Sequence, residues 1–96
     1  AMRVIAIAHR SEKHKPEDFA PHLEAESSYS LKLFADEKVR ELYSRSDGKG
    51  AVLVLEAESV EAAEEILNGL PMAKLGLLTF EVYGIKPYRG FVANTA

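Results

Sequence analysis

Cysteine is absent from the 96 residues, and so is tryptophan. Without thiols there is no disulfide framework, no thiolate zinc or iron–sulfur site and no cysteine nucleophile, and a reducing, cytoplasmic location is expected. Long apolar runs are missing as well. The longest, Val4 to Ala8 and Ala51 to Leu55, are five residues each, against the ~20 needed to cross a bilayer, so no membrane partner is expected. Charge of one sign is also scarce: twelve Lys+Arg and fifteen Asp+Glu give a net charge of −3 with histidine neutral. Neither sign gathers into a run, which removes the electrostatic footprint of a nucleic-acid binder.

What is present is the composition of an ordinary folded domain, with 47% hydrophobic and 28% charged residues, well away from the pattern of a disordered chain. The length suits one domain over residues 2–96, with Met2 read as the native start and 87–96 as a C-terminal tail.

Arg3 to His9 is β-branched and apolar, and Ser11 to Lys15 with Pro16 break it, which marks a first strand. From Glu17 to about Asp36 no glycine occurs. Phe19, Leu23, Ser30, Leu33 and Phe34 fall on one side of a helical wheel, which predicts a first helix with Pro21 tolerated near its start. Lys38 to Ser46 alternates Val39, Glu41, Tyr43 and Arg45 against Arg40, Leu42 and Ser44. The turn signal Ser46-Asp47-Gly48-Lys49-Gly50 follows, so this segment and Ala51 to Leu55 read as a hairpin. Ser59 is placed to cap a second helix with Val60, Ala63, Ile66, Leu67 and Leu70 in one stripe, ended by Gly69 and Pro71. Leu77 to Lys86 is the last strand. The order βαββαβ predicts an α+β, ferredoxin-like fold with a four-stranded antiparallel sheet.

Val4 to Ala8 and Ala51 to Leu55 present apolar side chains to both faces of that sheet, and two helices cover only one. Either a second sheet packs on the uncovered face in a homodimer, or the tail folds back over it.

Glu26 is the most informative single residue. It lies within about 60° of Phe19, Leu23, Ser30 and Leu33 on the wheel, so a carboxylate is aimed at the sheet. Burial would raise its pKa toward the range of a general acid or base, and an ion pair with Arg3, Arg40 or Arg45 is the structural alternative. His22 and Tyr29 flank Glu26, either completing a polar cluster or standing at an exposed helix edge. The small Ser27, Ser28 and Ser30 leave room for a ligand. Tyr43 and Arg45 share one face of their strand. They serve a substrate if that face meets the helix, and an interface if it meets a partner sheet.

Other constellations carry less. His9, His14 and His22 match no compact metal motif, so no metal is expected. Asp47-Gly48-Lys49-Gly50 lacks the P-loop pattern and leads into a strand, which makes it a turn. Ser27 and Ser28 beside His22 have neither a nucleophile elbow nor oxyanion-hole amides.

From about Lys38 to Pro87 the chain resembles the muconolactone isomerase family of dimeric α+β barrel proteins. The resemblance rests on Arg40-Glu41-Leu42-Tyr43-Ser44-Arg45, Glu58-Ser59-Val60-Glu61-Ala62, Leu70-Pro71 and Phe80-Glu81-Val82, with Glu26 near an acidic position of the family. It implies a cofactor-free protein forming a homodimer or a larger ring of dimers. The implied pocket lies between the first helix and the sheet, partly closed by a neighbour's tail. The family's name-giving enzyme moves a double bond in an unsaturated lactone during aromatic catabolism. That chemistry implies Glu26 as proton shuttle, His22 or Tyr43 as hydrogen-bond donor and Arg45 as holder of the substrate carboxylate, with Tyr29 and Ser30 as further substrate contacts. A non-catalytic barrel that binds a small ligand or serves assembly is the alternative. The chain departs from the family at Met72-Ala73-Lys74-Leu75-Gly76 and at Pro87-Tyr88-Arg89-Gly90-Phe91, both of which would shape the pocket. At the end of the first helix, Glu37 stands where glycine is preferred.

Overall fold

The computed structural model describes residues 1–94; residues 95 and 96, the end of the tail, lie outside the described residues. In chain order the strands are β1 (Met2–Arg10), β2 (Val39–Ser44), β3 (Gly50–Ala57) and β4 (Leu78–Ile85). They form one antiparallel sheet in the order β2-β3-β1-β4. The helices are α1 (Pro16–Phe19), α2 (Leu23–Ala35), α3 (Val60–Asn68), α4 (Pro71–Lys74) and α5 (Arg89–Asn94). This is the ferredoxin-like βαββαβ order that the sequence predicts.

The core lies between the helices and one sheet face. Val4, Ala6 and Ala8 of β1 and Leu53, Leu55 and Ala57 of β3 are buried there, packed with Leu33 of α2 and with Ala63 and Leu67 of α3. Ser59 caps α3 as expected, its Oγ accepting from the Ala62 N–H at 3.0 Å, which satisfies one of the amides a helix start leaves orphaned. Gly69 ends α3, but Pro71 does more than stop it. With φ preset for a first helical position, it opens the single turn of α4.

The first helix is not continuous. The chain makes one α turn, α1, then a 3₁₀ turn over Ala20–His22, and only then α2. Pro21 has no N–H to give and its ring crowds the preceding turn, so the chain tightens at that point. The expected apolar stripe is split in consequence. Phe19 and Leu33 are buried, Leu23 and Phe34 are exposed, and Phe19 joins Met72 and Leu77 in a small cluster of its own.

A second departure lies in β2. Its register shifts between Val39, opposite Leu55, and Glu41, opposite Val54, after which Leu42 faces Leu53. The bulge puts Val39 on the helix side with Leu42 and Ser44, where strict alternation would group it with Glu41 and Tyr43. At the end of α2, Glu37 adopts φ 62°. Its N–H donates to Phe34 O at 3.1 Å, and the Lys38 N–H donates to Leu33 O at 2.9 Å. These are the two bonds of a Schellman cap, with glutamate at the left-handed position where glycine is usual.

The opposite sheet face carries Ile5, Ile7, Val52 and Val54, all half-buried, and the exposed rings of Tyr43 and Tyr83. Helices lie on the other side. The segment folded back over this face, one of the two covers weighed from the sequence, is not found: among the described residues α5 does not pack across the sheet.

Candidate functional site

On the helix side of the sheet, a cavity of about 540 Å³ opens between α2 and the strands. Glu26, Ser27 and Ser30 of α2 line one wall, and Ala8, Leu42, Leu53 and Phe80 of the sheet line the other. Leu31 and Phe34, both exposed, form an apolar rim. The serines keep α2 from filling the space, as their small side chains suggest.

Glu26 is the carboxylate of this cavity's lining. Its Oε1 accepts a hydrogen bond from the Met72 N–H at 2.9 Å. That amide belongs to the first turn of α4, where N–H groups have no helical partner and carry partial positive charge. No buried side-chain oxygen among the described residues lacks a partner, so Oε2, which makes no hydrogen bond within them, is solvent-accessible. Burial pushes the carboxyl above the ordinary glutamate value, and the Met72 N–H opposes this with a smaller downward pull. The arginines offered as ion-pair partners by the sequence are engaged elsewhere: Arg3 with Glu56, Arg40 with Glu37 and Arg45 with Asp47.

The other sequence-derived residues are distributed as follows. Ser30 lines the cavity with Glu26; Tyr43 only borders it at the edge strand, because its side chain stands with Val52 on the opposite sheet face, away from the helices. The Tyr43 hydroxyl donates to Glu41 Oε1 at 2.7 Å, and that bond to a carboxylate raises the phenol above its usual range. Tyr29 packs against the main core, its hydroxyl close to Gly69. His22 closes the 3₁₀ turn and does not line the cavity. Arg45 lies one residue beyond β2, away from Glu26, and lines a second, smaller cavity at the hairpin end of the sheet.

Arg45 belongs instead to a polar chain across the strands. Its Nη2 donates to Asp47 Oδ2 at 2.5 Å and its Nη1 lies 2.9 Å from His9 Nδ1. Because arginine only donates, His9 Nδ1 accepts and the ring proton sits on Nε2, 2.5 Å from Glu81 Oε1. The Tyr83 hydroxyl donates to Glu81 Oε2 at 2.7 Å. Glu81 is held below the usual carboxylate range, first by Tyr83 and then by His9, and Asp47 likewise by the Lys49 N–H and then Arg45.

Sequence reasoning missed the partner of Glu26, the Met72 amide. The signal was Leu70-Pro71, which marks a helix start as well as a helix stop. It also missed α5 in the tail.

The strand order, the helical layer on one face and the cavity between them define a ferredoxin-like α+β domain. Among solved structures, the chain is similar to 5-chloro-2-hydroxyhydroquinone dehydrochlorinase from Burkholderia phenoliruptrix, determined in complex with 2,5-dihydroxybenzoquinone. The TM-score is 0.70 at 20% identity, covering 91% of this chain and 97% of that one. It is also similar to muconolactone isomerase, with a TM-score of 0.70 at 22% identity, covering 92% of each chain. The shared fold is the one that the muconolactone isomerase resemblance implies. No protein family's profile matches the sequence, and no curated protein sequence is significantly similar to it.

Proposed function

We propose that this protein binds a small unsaturated or oxygenated lactone or carboxylic acid in the cavity over Glu26 and shifts a proton on it without a cofactor. The observation that carries the reading is the Glu26 carboxylate: half-buried, raised in pKa by desolvation, tethered through one oxygen, and set in the lining of a largely apolar cavity of ligand size. A base in such a setting takes a proton from carbon next to a carbonyl and returns it further along the conjugated system. Ser30, which lines the cavity one helical turn from Glu26, is a candidate donor to substrate oxygen, whereas the Tyr43 hydroxyl is bound to Glu41 on the other sheet face. The two similar structures support the substrate class by their names, since each denotes an enzyme of small oxygenated compounds.

The same proposal places the protein in the cytoplasm as one domain, with a second copy covering the Ile5–Ile7–Val52–Val54 face.

The test is incorporation of solvent deuterium into muconolactone and a panel of unsaturated lactones and acids, followed by NMR. Wild type is expected to exchange. Folded Glu26→Gln is expected to be slower by roughly 10²–10⁴-fold. An absence of exchange across the panel overturns the proton shuttle, and ligand-induced shifts without exchange would identify a binding barrel instead.

A further inference from the structure

At the hairpin end of the sheet lies a second cavity of about 320 Å³, lined by Arg10, His14, Phe19, Arg45 and Lys49, with Glu12 as the acidic residue of the lining. We infer that this cavity is a binding site for a small organic carboxylate, separate from the Glu26 cavity.

Two cations there stand outside any salt bridge. Arg45 is occupied by Asp47 and His9, and His9 by Glu81. Among the described residues, Arg10 and Lys49 form no ion pair with any acid. The fold holds these two together, because the Arg10 N–H donates to Lys49 O at 2.9 Å. Gly50 makes that approach possible: a Cβ at this position would fall 1.8 Å from Ala8 O. The Arg10 guanidinium is also positioned, its Cζ lying 4.1 Å from the centre of the buried Phe19 ring. A guanidinium resting on an aromatic ring keeps its N–H edge free for an anion. His14 stands beside it, with Nδ1 2.7 Å from Ser11 Oγ, which leaves Nε2 for a ligand.

The backbone argues for carboxylate over phosphate. A phosphate cradle works through free loop amides. Here the Gly48 N–H donates to Arg45 O and the Lys49 N–H to Asp47 Oδ1, so the hairpin turn itself offers no such cradle. One guanidinium fork and one ammonium match the two oxygens of a carboxylate. The volume exceeds that of a bare inorganic ion, so an organic acid is the fitting occupant. The cavity is distinct from the first, because Phe19 and Met72 pack together between α1 and α4 and the two linings share no residue.

Benzoate and succinate are the probes, titrated into the whole protein at up to roughly 10 mM and followed by amide NMR, with inorganic phosphate and chloride alongside. Saturable shifts are expected at Ser11, His14 and Lys49 for at least one of the two acids. Arg10→Gln and Lys49→Gln, both at exposed positions, should each weaken binding roughly tenfold or more, with spectra that remain dispersed. Glu26→Gln should leave the affinity unchanged, so failure here is distinguishable from failure of the proton shuttle. The inference is overturned if neither acid gives saturable shifts, or if the shifts centre on Ser27 and Ser30. It is equally overturned if phosphate or chloride reproduces them at the same concentration, or if both charge-removing variants bind as wild type does.

Discussion

The carboxylate of Glu26 on α2 accepts the N–H of Met72 on α4 at 2.9 Å, across 46 residues of sequence. One interaction thereby ties the wall of the large cavity to the start of a four-residue helix too short to stabilise itself. It also explains why a carboxylate can sit half-buried without a cationic partner: the orphan amide of a helix start stands in for one.

The pH dependence of stability follows from the sign of the Glu26 shift. Its folded pKa lies above the ordinary 4.5, so the folded state holds the proton more tightly than the unfolded chain does. Its contribution is fully present below the unfolded value and is lost as pH rises through the raised folded value. Glu26→Gln retains an acceptor for Met72 but cannot ionise. Thermal melts of the two proteins are expected to diverge across that window, the variant gaining relative to wild type as pH rises. Parallel curves would show that the carboxyl is not desolvated.

Gly69 is held small by Tyr29. A Cβ there would meet the Tyr29 hydroxyl at 2.5 Å, so Gly69→Ala should destabilise by about 1–3 kcal/mol. Tyr29→Phe removes the offending oxygen, and in the double variant most of that loss should disappear. Urea unfolding of the four proteins in a double-mutant cycle measures the coupling, and simple additivity would disprove the contact.

Glu37 sits at φ 62° in the cap of α2, a conformation that costs a side chain of this kind about 1–2 kcal/mol. Glu37→Gly relieves that cost while giving up a long, exposed contact to Arg40 at 3.8 Å, which is worth little. A net gain of about 0.5–1 kcal/mol in chemical denaturation is expected after the entropic cost of glycine. A loss would show that the Arg40 contact outweighs the backbone strain.

Val54 lies on the uncovered sheet face, opposite Ile5 and Glu41. Val54→Glu adds a charge there without touching the core, so the monomer should stay folded. If a second copy covers this face, sedimentation should report a dimer for wild type and a monomer for the variant, because an unpaired carboxylate between two sheets is strongly disfavoured. A wild type that sediments as a monomer would contradict that arrangement.

The strands, α3 with its Ser59 cap, and the turn at Asp47-Gly48 were legible because each is written locally, in side-chain period, capping chemistry and turn residues. The placement of Glu26 near the sheet was legible for the same reason, since helical periodicity survives a slight rotation of the helix. The break at Pro21 and the bulge at Arg40 were not, because tolerance of a proline or of an extra strand residue depends on what packs against it.

The sequence by itself determined the element order, the polarity of each face and the presence of a carboxylate on the inner side of the first long helix. Tertiary structure alone decided what that carboxylate meets. Met72 is 46 residues away, and only the packing of α4 against α2 brings its amide to Glu26. Tertiary structure likewise turned Arg45 from the Glu26 cavity to Asp47 and His9, because strand register and a one-residue bulge set which face of the sheet a side chain occupies, and neither is fixed by local preference.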